Sequence, residues 1–164
     1  MPKLTGKCLC GKVQYLVEDE FEYFVYCHCK QCQESTGSAF NAAAGIGENK
    51  FTVTAGEDHL TSYDKRNVDE SISVVKFCKI CGSSLFSIKT NPKRTDKIIQ
   101  VRMGTLGGSP TNPEVVATKA RPQGHVWVSE NAPWFEIKEQ KPLPEYPKAA
   151  SVPPEPGPVY PQSK

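Results

Sequence analysis

Seven cysteines in three short groups constrain this chain more than any other feature. Cys8 and Cys10 form C-x-C. Cys27, Cys29 and Cys32 form C-x-C-x-x-C within "VYCHCKQCQ". Cys78 and Cys81 form C-x-x-C, followed by Gly82. Each spacing has a geometric use. On a strand, residues i and i+2 project from one face, so each C-x-C can offer two sulfurs to one ion. A C-x-x-C at a turn folds two thiolates onto one metal, and a glycine beside it relaxes the backbone. These are zinc-knuckle spacings. Seven is odd, so the set cannot pair completely as disulfides.

The compartment bears on the same question. No apolar run approaches the roughly 20 residues that span a bilayer. The start, "MPKLTGKCLCGK", has no apolar core after its charges and does not read as a secretory signal. The expectation is a soluble cytoplasmic protein with no membrane partner. In a reducing compartment, clustered cysteines bind metal or do redox chemistry rather than form disulfides. Lys plus Arg is 20 and Asp plus Glu is 18, a formal charge of +2. That near-balance argues against a nucleic-acid surface, where a basic excess is expected.

The 164 residues fit one domain with a real core. Residues 1–140 read as the folded part and mostly as short strands: "KVQYLVE", "EYFVYCH", "KFTVTA", "SISVVKF", "SLFSI", "KIIQVRM" and "HVWV" are rich in β-branched and aromatic residues. Turn signals separate them, and helical periodicity is weak, with "NPEVVATKA" offering one short turn or helix at most. The fold class is therefore mainly β. Residues 141–164, "KPLPEYPKAASVPPEPGPVYPQSK", hold eight of the fourteen prolines. Proline removes backbone donors and fixes φ, so this tail is expected to stay out of any sheet or helix, extended or disordered.

Spacing alone leaves two partitions of the cysteines open. A zinc ribbon would use Cys29, Cys32, Cys78 and Cys81, leaving Cys8, Cys10 and Cys27 as a remainder from two segments. The other partition closes one site with Cys8, Cys10, Cys78 and Cys81 and leaves Cys27, Cys29 and Cys32 as a local trio. The second is tidier, because both C-x-C units keep their local geometry.

In order along the chain, "GKCLCGKVQY", "CHCKQCQESTGSAF", "KFCKICGSSLF", "MGTLGG" and "HVWVSENAPWFEI" resemble the glutathione-dependent formaldehyde-activating enzyme family, which also includes centromere protein V. The resemblance runs over about residues 6–137. It implies a β-tent of twisted antiparallel sheets and two Zn²⁺ per chain. By resemblance, Cys8, Cys10, Cys78 and Cys81 match the structural zinc ligands, and Cys27, Cys29 and Cys32 match the ligands of the catalytic zinc. The implied reaction joins glutathione and formaldehyde as S-(hydroxymethyl)glutathione, or cleaves that adduct, as a carbon–sulfur lyase. Gln33 stands where an arginine is common in the family, and Gly107 where an aspartate is common.

The chemistry suits such a trio. A four-sulfur zinc site is closed and structural, whereas a three-sulfur site leaves a position open, as reactive zinc sites do. A soft fourth ligand, a substrate thiol, is the natural occupant, and the thiolate is the reactive form. Two alternatives are a lyase-like enzyme for another sulfur-containing metabolite and a non-catalytic zinc module that binds a partner. Gly37, Ser38 and Phe40 of "STGSAF" directly follow the trio and are expected at a substrate pocket. Lys30, Lys76 and Arg102 are candidates to meet the glutathione carboxylates. His28, His59 and His125 read as packing or structural residues, and Trp127 and Trp134 as core or platform aromatics.

Overall fold

The computed structural model describes residues 3–18, 20–90, 95–107, 121–138 and 142–149. It is mainly β, as expected, and "NPEVVATKA" lies outside the described residues. The strands are β1 (Lys3–Lys7), β2 (Gln14–Glu18), β3 (Tyr23–Cys27), β4 (Asn41–Gly47), β5 (Phe51–Ala55), β6 (Leu60–Arg66), β7 (Ile72–Cys78), β8 (Ser84–Lys89), β9 (Ile98–Arg102), β10 (Leu106–Gly107), β11 (His125–Val126) and β12 (Glu145–Tyr146). One α-helix, α1 (Lys30–Thr36), follows β3.

Two sheets result. The smaller has the order β10-β1-β2-β5, and the larger β12-β11-β3-β4-β9-β8-β7-β6. Pairing is antiparallel except at one edge, where β11 runs parallel to both β3 and β12. Alternation explains why the sheets pack together. Leu4, Tyr15 and Val17 point inward from the small sheet and meet Ile46, Phe86, Ile99 and Val101 of the large one in a single buried cluster. Phe51 bridges the sheets, with its ring 5.1 Å from Tyr15 and 4.6 Å from Phe86.

Strands β1, β4, β6 and β10 and helix α1 were not among the segments read from the sequence; β4 and α1 show why. β4 reads "NAAAGIG", whose alanines and glycines are poor strand formers. Tertiary packing makes it a strand: it is buried nearly throughout, and the Tyr23 ring lies over Gly45 so closely that a Cβ there would sit 2.2 Å from it. Helix α1 has only seven residues, too few for a periodic signal. It closes at Gly37, whose φ of 63° is a left-handed cap.

The tail expectation needs correction at its start. Glu145–Tyr146 joins the sheet edge beside β11, and Leu143 is buried. Proline does not prevent this, because β12 is an edge strand that mainly supplies acceptors: the carbonyl of Pro144 receives the His125 N–H at 2.8 Å, and that of Lys148 receives the Trp127 N–H at 3.2 Å. For Trp134 the core half of the expectation is excluded and the platform half is left. Trp134 is 72% exposed rather than core, in an edge-to-face arrangement with Phe135.

Candidate metal centres and the cleft beside them

The seven cysteines divide in space into two sets. The sulfurs of Cys8, Cys10, Cys78 and Cys81 all lie within 4.8 Å of one another, and so do those of Cys27, Cys29 and Cys32. His28 and His59 join neither set.

The four-sulfur set is built from two turns, each capping a sheet. β1 ends at Lys7, so Cys8 and Cys10 sit in a turn and not on a strand, which corrects the same-face argument for that pair. The turn is held by the Gly11 N–H donating to the Cys8 carbonyl at 3.0 Å, with Gly11 at φ 74°. The Val13 N–H donates to the Cys8 sulfur at 3.3 Å. The second turn repeats this plan. Cys78 ends β7, and its carbonyl accepts the Gly82 N–H at 2.8 Å, with Gly82 at φ 75°. Ser83 joins the turns, accepting the Leu9 N–H at 3.0 Å and lying 3.3 Å from the Cys81 sulfur. Hydrogen bonds from Ser83 lead the causes that hold the Cys81 thiol down, to about 5. Cys8 and Cys78 are buried and Cys10 is exposed.

The trio is assembled from a strand end and a helix start. Cys27 is the last residue of β3, Cys29 the N-cap of α1, and Cys32 lies in its first turn. The Cys29 carbonyl accepts the N–H groups of Cys32 and Gln33. Without a metal, three crowded sulfurs cannot ionise together. Hydrogen bonds from Cys27 and then Cys29 pull Cys32 down to about 3, with the charges of Lys65 and Arg102 helping and burial opposing. The same crowding, with burial, pushes Cys27 up. Soft thiolate donors at this spacing fit zinc, four in a closed set and three in an open one.

The sheet register shows what surrounds the trio. Cys27 pairs with Asn41, and Ala43 pairs with Arg102. Because i and i+2 share a face, Cys27, Asn41 and Arg102 stand on one side of the large sheet. Tyr23 and Gln100 share it; the Gln100 amide donates to the Tyr23 hydroxyl at 2.7 Å. This polar face lies beneath α1, and the Asn41 amide points at the Cys32 sulfur, 3.9 Å away. Burial holds the Arg102 guanidinium below its usual range, against the opposing charges of Cys32, Cys27 and Tyr23. Sequence reasoning had no access to this arrangement, since it depends on register.

A cleft of about 480 Å³ runs between α1 and the β6–β7 hairpin, lined among others by Gln31, Ser35, Tyr63, Lys65, Phe77 and Gly82. It extends from the trio-bearing helix to the turn after Cys81. None of the three sulfurs lines it. Gly37, Ser38 and Phe40 are also not among its lining residues: Gly37 caps α1, Ser38 is exposed, and Phe40 packs against Tyr26, His28 and Phe135.

Gln33 takes a role its sequence position did not reveal. It is buried, and its side-chain amide donates to the carbonyls of His28 at 2.6 Å and Glu130 at 2.8 Å. It therefore fastens the trio's backbone to the segment after β11. Among the candidate cations, Lys30 is exposed and 3.9 Å from Glu34. Lys76 alternates away from Val75 and the cleft. Only Arg102 stands with the trio.

Comparisons with known proteins show what the chain is similar to. The family model described as glutathione-dependent formaldehyde-activating enzyme matches residues 3–130. An uncharacterized lyase of Schizosaccharomyces pombe is 31% identical over 93 residues, 57% of this chain and 63% of that protein. A Talaromyces marneffei protein, named provisionally as a glutathione-dependent formaldehyde-activating enzyme, is 29% identical over 84 residues, 51% of this chain and 43% of that one. The matches thus span less than two thirds of either relative. A crystal structure of a Rhodobacter sphaeroides protein aligns with a TM-score of 0.46 and 24% identity, covering 68% of this chain and 94% of that chain.

Proposed function

The chain belongs to the glutathione-dependent formaldehyde-activating enzyme family, and from that premise we propose that it is a zinc-dependent carbon–sulfur lyase. It forms or cleaves a thiol adduct, with glutathione as the thiol and S-(hydroxymethyl)glutathione as the adduct with formaldehyde. One observation carries this reading: the cysteines separate into a set of four and a set of three, each with its sulfurs within 4.8 Å. In this reading Cys8, Cys10, Cys78 and Cys81 hold a structural zinc, and Cys27, Cys29 and Cys32 hold a reactive one. When bound at the trio, zinc supplies the positive charge that favours the thiolate form of a substrate thiol.

The chain's own residues do the positioning. Cys27 is fixed by a sheet strand, and Cys29 and Cys32 by a helical turn, so the trio rests on regular elements rather than a free loop. The Asn41 amide directs a donor at Cys32. The cleft along α1 falls within the usual size of small-molecule sites and offers room for the arms of a tripeptide. Seven free thiols fit work in a reducing compartment, with the cytoplasm as the proposed location.

The test is the rate of S-(hydroxymethyl)glutathione formation or breakdown against the uncatalysed background. Cys29 is half-buried and outside the main core, so Cys29→Ser should fold and lose the catalysed increment. An unchanged rate in that variant overturns the assignment.

A further inference from the structure

Arg102 is a buried cation with two of its donor nitrogens unmatched. It is 8% exposed, and its Nε and Nη1 are buried with no hydrogen-bond partner among the described residues. A guanidinium presents five donors in a fixed fork, and a buried charge without acceptors is unfavourable. The charges acting on it come from Cys32, Cys27 and Tyr23, with no carboxylate among them. It stands on the same sheet face as Cys27, two strands away across β4, with Cys27 opposite Asn41 and Arg102 opposite Ala43.

We propose that Arg102 holds the aldehyde-derived oxygen of the substrate, its unpaired N–H groups donating to the oxygen on the carbon that joins the substrate sulfur. The inference rests on the lyase reading above. In adduct formation the thiol gives up its proton and its sulfur attacks the carbonyl carbon. The carbon–sulfur bond forms as the C=O π pair moves onto oxygen. That oxygen takes up a proton, replacing the one the thiol released, so nothing is oxidised or reduced. Cleavage reverses each movement. Charge grows on a single oxygen, and fixed donors that meet it stabilise that charge without rearranging.

Lys65 marks the contrast. It is half-buried, lines the open cleft, and its charge reaches Cys32. The carboxylates of glutathione lie several bonds from its sulfur, which suits a cation in the cleft. The oxygen lies two bonds from the sulfur, which suits a cation buried beside the trio.

The test uses Arg102→Gln and Arg102→Lys in the full chain loaded with zinc. Zinc content and glutathione binding by calorimetry are measured first. Then kcat and KM are measured with glutathione and with cysteamine, a thiol lacking carboxylates. In Arg102→Gln, kcat should fall about 100-fold with both thiols, the scale of losing an oxyanion donor. Glutathione affinity and zinc content should stay within about twofold, since only transition-state binding is lost. Arg102→Lys should recover part of kcat, because it keeps the charge but not the fork. Should Arg102→Gln not fold, Arg102→Lys carries the test with an expected kcat loss of about tenfold.

Three results overturn the proposal: unchanged kcat, loss of zinc on substitution, or a defect confined to KM for glutathione and absent with cysteamine. The last would make Arg102 a carboxylate anchor. Failure of the lyase reading shows elsewhere, in an unsubstituted protein that neither binds glutathione nor exceeds the background rate. That result removes this inference as well.

Discussion

The imidazoles of His28 and His125 share a buried hydrogen bond, Nε2 to Nδ1 at 2.8 Å. His28 lies between two sulfurs of the trio, and its N–H donates to the Val126 carbonyl at 2.9 Å. Ring and backbone together tie the trio to β11, and the rings pack with Tyr26, Phe40 and Phe135 on the face of β3 away from the sulfurs. His125→Phe keeps the packing and removes the bond. We expect metal at the trio to bind about tenfold more weakly, the lower end of what supporting residues contribute. Metal at the four-sulfur set should be unaffected. Competition with a chromophoric chelator separates the two phases.

Cys10 offers a clean test of the closed site. Its side chain is exposed, while Cys8 and Cys78 are buried. If Cys10 held nothing, Cys10→Ser would be a surface change within about 0.5 kcal/mol. As a zinc ligand it should cost one zinc per chain and most of the folding stability. Metal analysis and thermal melting of the variant distinguish the two outcomes.

Tyr15 predicts an alkaline sensitivity. Burial raises its phenol to about 12, against a hydrogen bond with Thr105 that lowers it. The folded state keeps its proton where the unfolded chain, titrating near 10, has lost it. The associated stability is therefore full below pH 10 and is lost as pH rises from about 10 to about 12. Tyr15→Phe should flatten that part of the melting curve. The same ring makes Gly6 irreplaceable, because a Cβ there would lie 2.0 Å from it. Gly6→Ala should cost about 1–3 kcal/mol or more through overpacking.

The edge strand predicts the effect of shortening the chain. A chain ending at residue 140 loses Leu143, which is buried, and the acceptors of Pro144 and Lys148. Compared with a chain ending at residue 149, it should be less stable by about 2 kcal/mol, the scale of one buried leucine. Amide exchange at His125 and Trp127 should speed up, and equal protection in both chains would count against the pairing.

The two cysteine sets were partly legible in the sequence: spacing left two partitions open, and the family resemblance selected the one in which the sulfurs are found together. Strands rich in Val, Ile and Phe, such as β7, β8 and β9, were plain. β4 was not, since Gly45 and its alanines are held by the Tyr23 ring and the core rather than by propensity. Gln33 read as a departure from the family pattern, and only its two carbonyl partners reveal its use. Arg102 was one cation among three until the pairing of β3, β4 and β9 put it on the face of Cys27.

The two cysteine sets differ in how far apart their members lie along the chain. The trio falls within six consecutive residues, while the other set joins residue 8 to residue 81. A short peptide can gather the trio, so an unfolded chain can already compete for that metal, and binding there favours both states. The four-sulfur set exists only once both sheets are in place, and affinity there is transferred to the native state alone. Under scarce metal, the linkage predicts that folding yield follows the four-sulfur set and that the proposed lyase activity follows the trio.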